Sequence, residues 1–133
     1  MGELNKEPVL TELINLASRD RDVAALWLYG SRSKGTSHKS SDYDLAVLFL
    51  SRVNDPLERR LRPELLALSW VKELELEERD ISVIDIQVAP VPLAMNAISG
   101  KLLYCGDHSA RYVAEGIIMS KAELDYLYHS KYN

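Results

Sequence analysis

The stretch from Leu28 to Phe49, LYGSRSKGTSHKSSDYDLAVLF, constrains this chain more than any other part of it. An apolar segment runs into a Gly-Ser turn, ten residues intervene, and Asp42-Tyr43-Asp44 then opens a second apolar segment. Side chains alternate faces along an extended strand, so Asp42 and Asp44 point one way and Tyr43 the other. Two carboxylates are thereby aimed at one spot. Such a pair repels itself unless a cation sits between the groups, and hard oxygen ligands with no accompanying Cys or His cluster favour Mg²⁺ over Zn²⁺. Upstream, Gly30 lets the backbone turn sharply, and Ser31 is placed to cap a short helix whose first free N–H groups suit an anion.

Each piece alone has an ordinary structural role. A Gly-Ser pair is commonly just a turn, and an Asp-x-Asp is commonly a solvated strand entrance. Their spacing, followed by Leu45-Ala46-Val47-Leu48, makes the combination specific: a phosphate cradle and a metal clamp about a dozen residues apart in one strand-turn-helix-strand unit. That arrangement suits nucleotidyl transfer.

At 133 residues the chain is expected to form one domain, 1–133, large enough for a real core and too small for two. A net charge of -4 provides no global basic field to draw it to nucleic acid, so small-molecule or protein partners are favoured and direct nucleic-acid binding is not expected. Cys105 is the single cysteine and reads as a small core residue. The opening MGELNKEPVL lacks the apolar core of a signal peptide, and no run of about 18 apolar residues spans a bilayer, so the cytoplasm is the expected location and no membrane partner is expected.

Taken in order, apolar spacing at Leu10, Leu13, Ile14 and Ala17 predicts a first helix over 8–20 with Pro8 at its start. Val23 to Tyr29 is a continuous apolar run, too short for a typical helix, and reads as a strand buried on both faces with Trp27 in the core. Ser31 to Lys34 reads as a short helix ended by Gly35. Arg32, Lys34, His38 and Lys39 flank the expected triphosphate position, where a cation assists phosphoryl transfer, although a charged loop is ordinarily only solvated.

Tyr43 to Leu50 forms the second strand. Asp55 and Pro56 start a long helix, with Pro63 predicted to kink or restart it and an acidic, solvated end through Glu78. Asp80 to Val88 is the third strand, Leu93 to Ile98 a short helix, Lys101 to Cys105 a last strand, and His108 to Tyr128 a final helix. In that helix Tyr112, Val113, Ile117, Leu124, Leu127 and Tyr128 mark a partly apolar stripe, mostly core and helix surface, with exposed tyrosines also suited to a protein interface. The expected architecture is α/β: a small mixed β-sheet carrying the acids on one open face, with helices packed on the other.

Gly30-Ser31, ten residues, and Asp42-x-Asp44 match the GS-x10-D-x-D signature, and on this basis the chain resembles the minimal nucleotidyltransferases of the DNA polymerase beta-like superfamily. The closest likeness is to the antitoxins of HEPN/MNT toxin-antitoxin pairs, and it extends weakly through Asp85 to Tyr104. The resemblance implies a polymerase beta-like nucleotidyltransferase fold. It also implies ATP as substrate, Mg²⁺ held by Asp42 and Asp44, phosphates on Gly30 and Ser31, and AMP transfer to a tyrosine hydroxyl of a cognate HEPN toxin, which is thereby neutralised.

Superfamily members use a third acid on a neighbouring strand, within a Val-Asp-Leu-Val-Asp-Leu pattern. Aligning Asp85 with the second Asp of that pattern puts Ser82 where the third acid is expected, a departure from the family. Asp80 and Asp85 face opposite sides, so only one can join Asp42 and Asp44. Asp80 is preferred because it shares the face of Ser82. The alternative is a non-catalytic antitoxin that neutralises the toxin by binding alone, and the Ser82 departure keeps that reading in play.

Overall fold

The computed structural model describes residues 2–30 and 42–132, with side chains from Pro8 to Lys131 within those ranges. The predicted helix over 31–34, the Ser31 half of the cradle, and the loop cations Arg32, Lys34, His38 and Lys39 lie outside the described residues. The described residues form four α-helices and four strands. They are α1 (Gly2–Arg19), β1 (Val23–Tyr29), β2 (Tyr43–Phe49), α2 (Pro56–Leu74), β3 (Ile81–Asp85), α3 (Val91–Ile98), β4 (Lys101–Cys105) and α4 (His108–Tyr132).

The strands form one mixed sheet in the order β3-β2-β1-β4. β1 pairs antiparallel with β2 and with β4, while β2 and β3 run parallel, joined through the α2 crossover. All seven residues of β1 are buried, as a continuous apolar run in a central strand requires. Trp27, only 1% exposed, fills the core. The α/β class and mixed sheet are as expected.

The layering is different. On one face Leu26, Leu28, Leu45, Val47 and Val83 pack with Leu13 and Ala17 of α1 and Trp70 and Val71 of α2. On the other, Trp27, Ala46 and Leu48 pack with Ala94 and Ala97 of α3 and Ala114 and Ile118 of α4. Helices therefore cover both faces rather than one. The cause is the small side chain at each helix contact, which lets α3 and α4 lie close against the face that also carries the acids. Among the described residues the Asp42 end of that face stays open, where Asp42 is exposed and Asp44 partly so.

Local chemistry explains the element ends. The Asp55 carboxylate accepts the Glu58 N–H at 2.9 Å and caps α2, with Pro56 in its first turn. Pro63 does not interrupt α2, which continues through it to Leu74. The helix ends earlier than expected because Glu75 adopts a left-handed conformation, φ 55°. A 3₁₀ turn over Glu78–Asp80 then precedes β3.

β3 is likewise shorter than the β-branched run. Asp85 Oδ1 accepts the Gln87 N–H at 2.9 Å, and the Asp85 carbonyl accepts from Val88 and Ala89, so the chain turns there instead of staying extended. In α4 the residues that reach the core are Ala114 and Ile118, a step away from the expected stripe. Tyr112, Val113, Leu124, Leu127 and Tyr128 are exposed. Pro8 lies inside α1, which begins before the apolar spacing does.

Candidate active site

The open end of the sheet is built by the last residue of β1, the turn after it and the first residues of β2. Tyr29 pairs with Asp44 across the antiparallel β1-β2 ladder, and Ser82 pairs with Asp44 across the parallel β2-β3 ladder. Cross-strand partners share a face, so Tyr29, Asp44 and Ser82 line up on one side, with Asp42 two residues before Asp44 on that side as well.

Gly30 closes this row. Its φ is +74°, in the left-handed region that favours glycine, and a Cβ built there would collide with Asp44 Oδ2. The backbone turn and the carboxylate thus pack directly together. Any side chain at position 30 would displace Asp44 from its place. The Gly-Ser turn and the paired acids, read from sequence as two parts of one site, are contiguous at Gly30 and Asp44.

Burial and neighbouring charge act together on the groups at this end of the sheet. Burial, and after it the charge of Asp42, hold the Asp44 carboxyl above its ordinary value of 3.8. Burial, and after it the charge of Asp44, likewise raise the Tyr29 phenol above 10.0. Both shifts record burial first and neighbouring negative charge second. The donor set of two hard carboxylates on one face, against a backbone turn, fits a hard divalent cation such as Mg²⁺. Asp42 and Asp44 are the residues that would hold it.

The third acid is placed less simply. Asp85 lies on the α2 side of the sheet, 3% exposed, with Oδ2 3.9 Å from Arg62 Nη2, so it is turned away from Asp42 and Asp44. Asp80 is in the 3₁₀ turn before β3, and its Oδ2 accepts the Glu77 N–H at 2.8 Å. Among the described residues no three His, Cys, Asp or Glu side chains gather into a group able to hold a metal ion. The position directly beside Asp44 belongs to Ser82, which is exposed.

The sequence reading passed over Tyr29. The signal was available, because Tyr29 ends the apolar run immediately before Gly30 and an antiparallel return brings Asp44 opposite it.

Comparison with known proteins decides the family. The description "Polymerase beta, Nucleotidyltransferase" matches residues 11–109. The chain belongs to the polymerase beta nucleotidyltransferase family. In this nucleotidyltransferase the matched span contains Gly30, Asp42, Asp44 and all four strands. No curated protein is a significant sequence match.

Among solved structures, a chain of a toxin-antitoxin complex with AMP-PNP is 24% identical, with a TM-score of 0.66, over 91% of this chain and 93% of that one. A chain of the tri-AMPylated Shewanella oneidensis HEPN toxin in complex with MNT antitoxin is 20% identical, with a TM-score of 0.64, over 98% and 94%. A chain of the MntA-HepT toxin-antitoxin complex is 19% identical, with a TM-score of 0.60, over 92% of each. These likenesses share the nucleotidyltransferase fold. Among the described residues no helix is long and apolar enough to cross a membrane.

The charge crowding has a measurable consequence. Because the folded-state value of Asp44 is raised, the native state holds its proton more tightly than the unfolded chain does, and stability falls as pH rises from about 3.8 towards the folded value. Asp44→Asn is therefore expected to melt at a higher temperature than the parent at neutral pH, with the difference vanishing below about pH 3.8. Thermal melts of both chains between acid and neutral pH, without divalent cations, check this. A lower melting temperature for Asp44→Asn at neutral pH would show that the carboxylate is already compensated.

Proposed function

We propose that this nucleotidyltransferase is an antitoxin that transfers AMP from ATP to a tyrosine hydroxyl of a cognate HEPN-domain toxin. The observation that carries the reading is the pair Asp42 and Asp44 set against the Gly30 turn, in a chain of this family. Support for the partner comes from the matched complexes, one of which holds AMP-PNP and another an AMPylated HEPN toxin with its MNT antitoxin.

Asp42 and Asp44 would hold Mg²⁺, which when bound would neutralise charge on the triphosphate. The Gly30-Ser31 turn receives the phosphates through its backbone N–H groups, and one of the loop cations adds positive charge beside them. The acceptor hydroxyl oxygen forms a bond to the α-phosphorus as the bond to the departing pyrophosphate breaks, and the hydroxyl proton leaves to water. The chain contributes position and electrostatics and no covalent nucleophile. Tyr29, beside Asp44 and buried, forms part of the wall that orients the Asp44 carboxylate.

Asp80 was the preferred third acid. Its carboxylate is a cap on the turn before β3, and Asp42 and Asp44 are the residues that would hold the ion.

A second reading rests on a specific observation, the exposed Ser82 next to Asp44 where the family pattern carries an acid. In that reading the chain binds and occludes its toxin without modifying it. Incubation with ATP, Mg²⁺ and the candidate HEPN partner, followed by intact-mass measurement of the partner, tests the two. Increments of AMP on the partner are expected. An inhibited partner of unchanged mass would overturn the enzymatic reading in favour of occlusion.

A further inference from the structure

One cleft among the described residues lies away from the acids. It lies at the opposite end of β2, about 20 Å of strand away, where the loop after β2, the start of α2, the turn after β3 and the flank of α4 converge. Its volume is about 500 Å³, the size of a small-molecule site.

Its charge opposes that of the chain. The protein carries a net -4, yet the cleft is lined by Arg52, Arg59, Arg62 and Lys121 against one acid, Asp85. That acid is 3% exposed and lies 3.9 Å from Arg62, whose charge offsets it and leaves three further cations around the cleft. Arg52 and Lys121 have no ion pair or hydrogen bond among the described residues. Arg59 is held from behind, its Nε donating to the Val53 carbonyl at 3.0 Å, which fixes the guanidinium while leaving donors unused.

Arg62 forms the floor. Its guanidinium donates to Ser51 Oγ at 2.9 Å and to the Ser51 carbonyl at 3.1 Å, pairs with Asp22 at 3.3 Å and lies 4.0 Å over the Phe49 ring. Its buried Nε has no acceptor within the described structure. Val88, Val91 and Ile117 add apolar surface to the lining, beside the polar Ser51, Asn54 and Gln87.

We propose that this cleft binds a small organic anion whose phosphate or carboxylate meets Arg52, Arg59 and Lys121 while an apolar ring lies against Val88, Val91 and Ile117. Several cations with unused donors suit a planar or tetrahedral oxyanion, and a lining that also carries apolar side chains selects a molecule with both characters. The site is separate from the nucleotidyltransferase acids and does not depend on their activity.

The test uses the full chain without divalent cations or nucleotide, and follows backbone amides by NMR during titration with 1-naphthyl phosphate, with the Gly30 amide reporting separately on any binding at the proposed phosphate turn. Saturable shifts are expected at Ser51, Gln87 and Ile117. Binding should weaken about tenfold or more in Arg52→Ala/Arg59→Ala and in Lys121→Ala, which alter different elements and so do not share one folding defect. Benzoate in place of the phosphate ester reports which oxyanion is preferred, and binding by either one supports the site. Inorganic phosphate should bind more weakly than the ester. Non-saturating shifts, shifts confined to residues 30 and 42–44, equal binding of inorganic phosphate, or unchanged affinity in both sets of variants would overturn the proposal.

Discussion

Asp42→Ala and Asp44→Ala are each expected to lower ATP-dependent transfer to the partner by about a thousandfold, while leaving the fold at least as stable as the parent. The activity loss follows from removing half of a two-carboxylate ion site. The retained stability follows from the same geometry, since Asp42 is exposed and Asp44 only partly buried, and burial together with the charge of Asp42 raises the cost of ionising Asp44. Transfer measured by partner mass, alongside thermal melts of the two variants, reads both halves. Loss of activity accompanied by a large drop in melting temperature would mean that the acids support the fold. Undiminished transfer in either variant would remove that residue from the site.

The largest effect on stability is expected at Arg62, with Arg62→Ala costing about 3–5 kcal/mol. This side chain joins the start of α2 to Asp22, to Ser51 beyond β2 and to Asp85 at the end of β3, and it stacks on Phe49. Its removal leaves Asp85 almost fully buried with its nearest cation gone. Burial already raises the Asp85 carboxyl above 3.8, and the Gln87 N–H and then Arg62 are what pull it back. Without Arg62 the folded value rises further, so the native state is penalised whenever Asp85 is ionised in the unfolded chain. The deficit should therefore grow as pH rises above about 3.8 and shrink below it. Denaturant melts of parent and variant at acid and neutral pH check the size and the sign, and a pH-independent deficit would assign the loss to packing alone.

What could be read before the structure was known depended on how local its cause is. The β1 run declares itself because every side chain of a central strand in a doubly covered sheet is apolar. The shared face of Asp42 and Asp44 follows from strand alternation, and the Asp85 side follows from counting along β3. Ser82 beside Asp44 needed only the parallel pairing of two recognisable strands.

Features set by distant partners were not legible. The Asp80 carboxylate is turned to Glu77 because α2 stops at a left-handed Glu75, a conformation that no glycine announces. Helices lie on the acid-bearing face because Ala46, Ala94, Ala97 and Ala114 meet there, and alanine spacing within each segment does not reveal which face it will share. The buried side of α4 was displaced by a step because the long exposed side chains of Tyr112 and Leu124 carry more apolar signal than the small residue that makes the contact. Arg62 and Asp85 stand 23 positions apart on different elements (85 minus 62), and only the packing of α2 against β3 brings them together.

The account depends on a divalent cation and a nucleotide meeting at Asp42, Asp44 and Gly30. Titrating Mn²⁺ into the full chain with a non-hydrolysable ATP analogue, while recording amide resonances, tests this most directly. Selective broadening of Gly30, Asp42, Asp44 and Ser82 is expected, lost in Asp44→Asn, with Ser51 and Gln87 at the far end of the sheet unaffected. Broadening centred on those distant residues, or undiminished broadening at β2 in the variant, would contradict it.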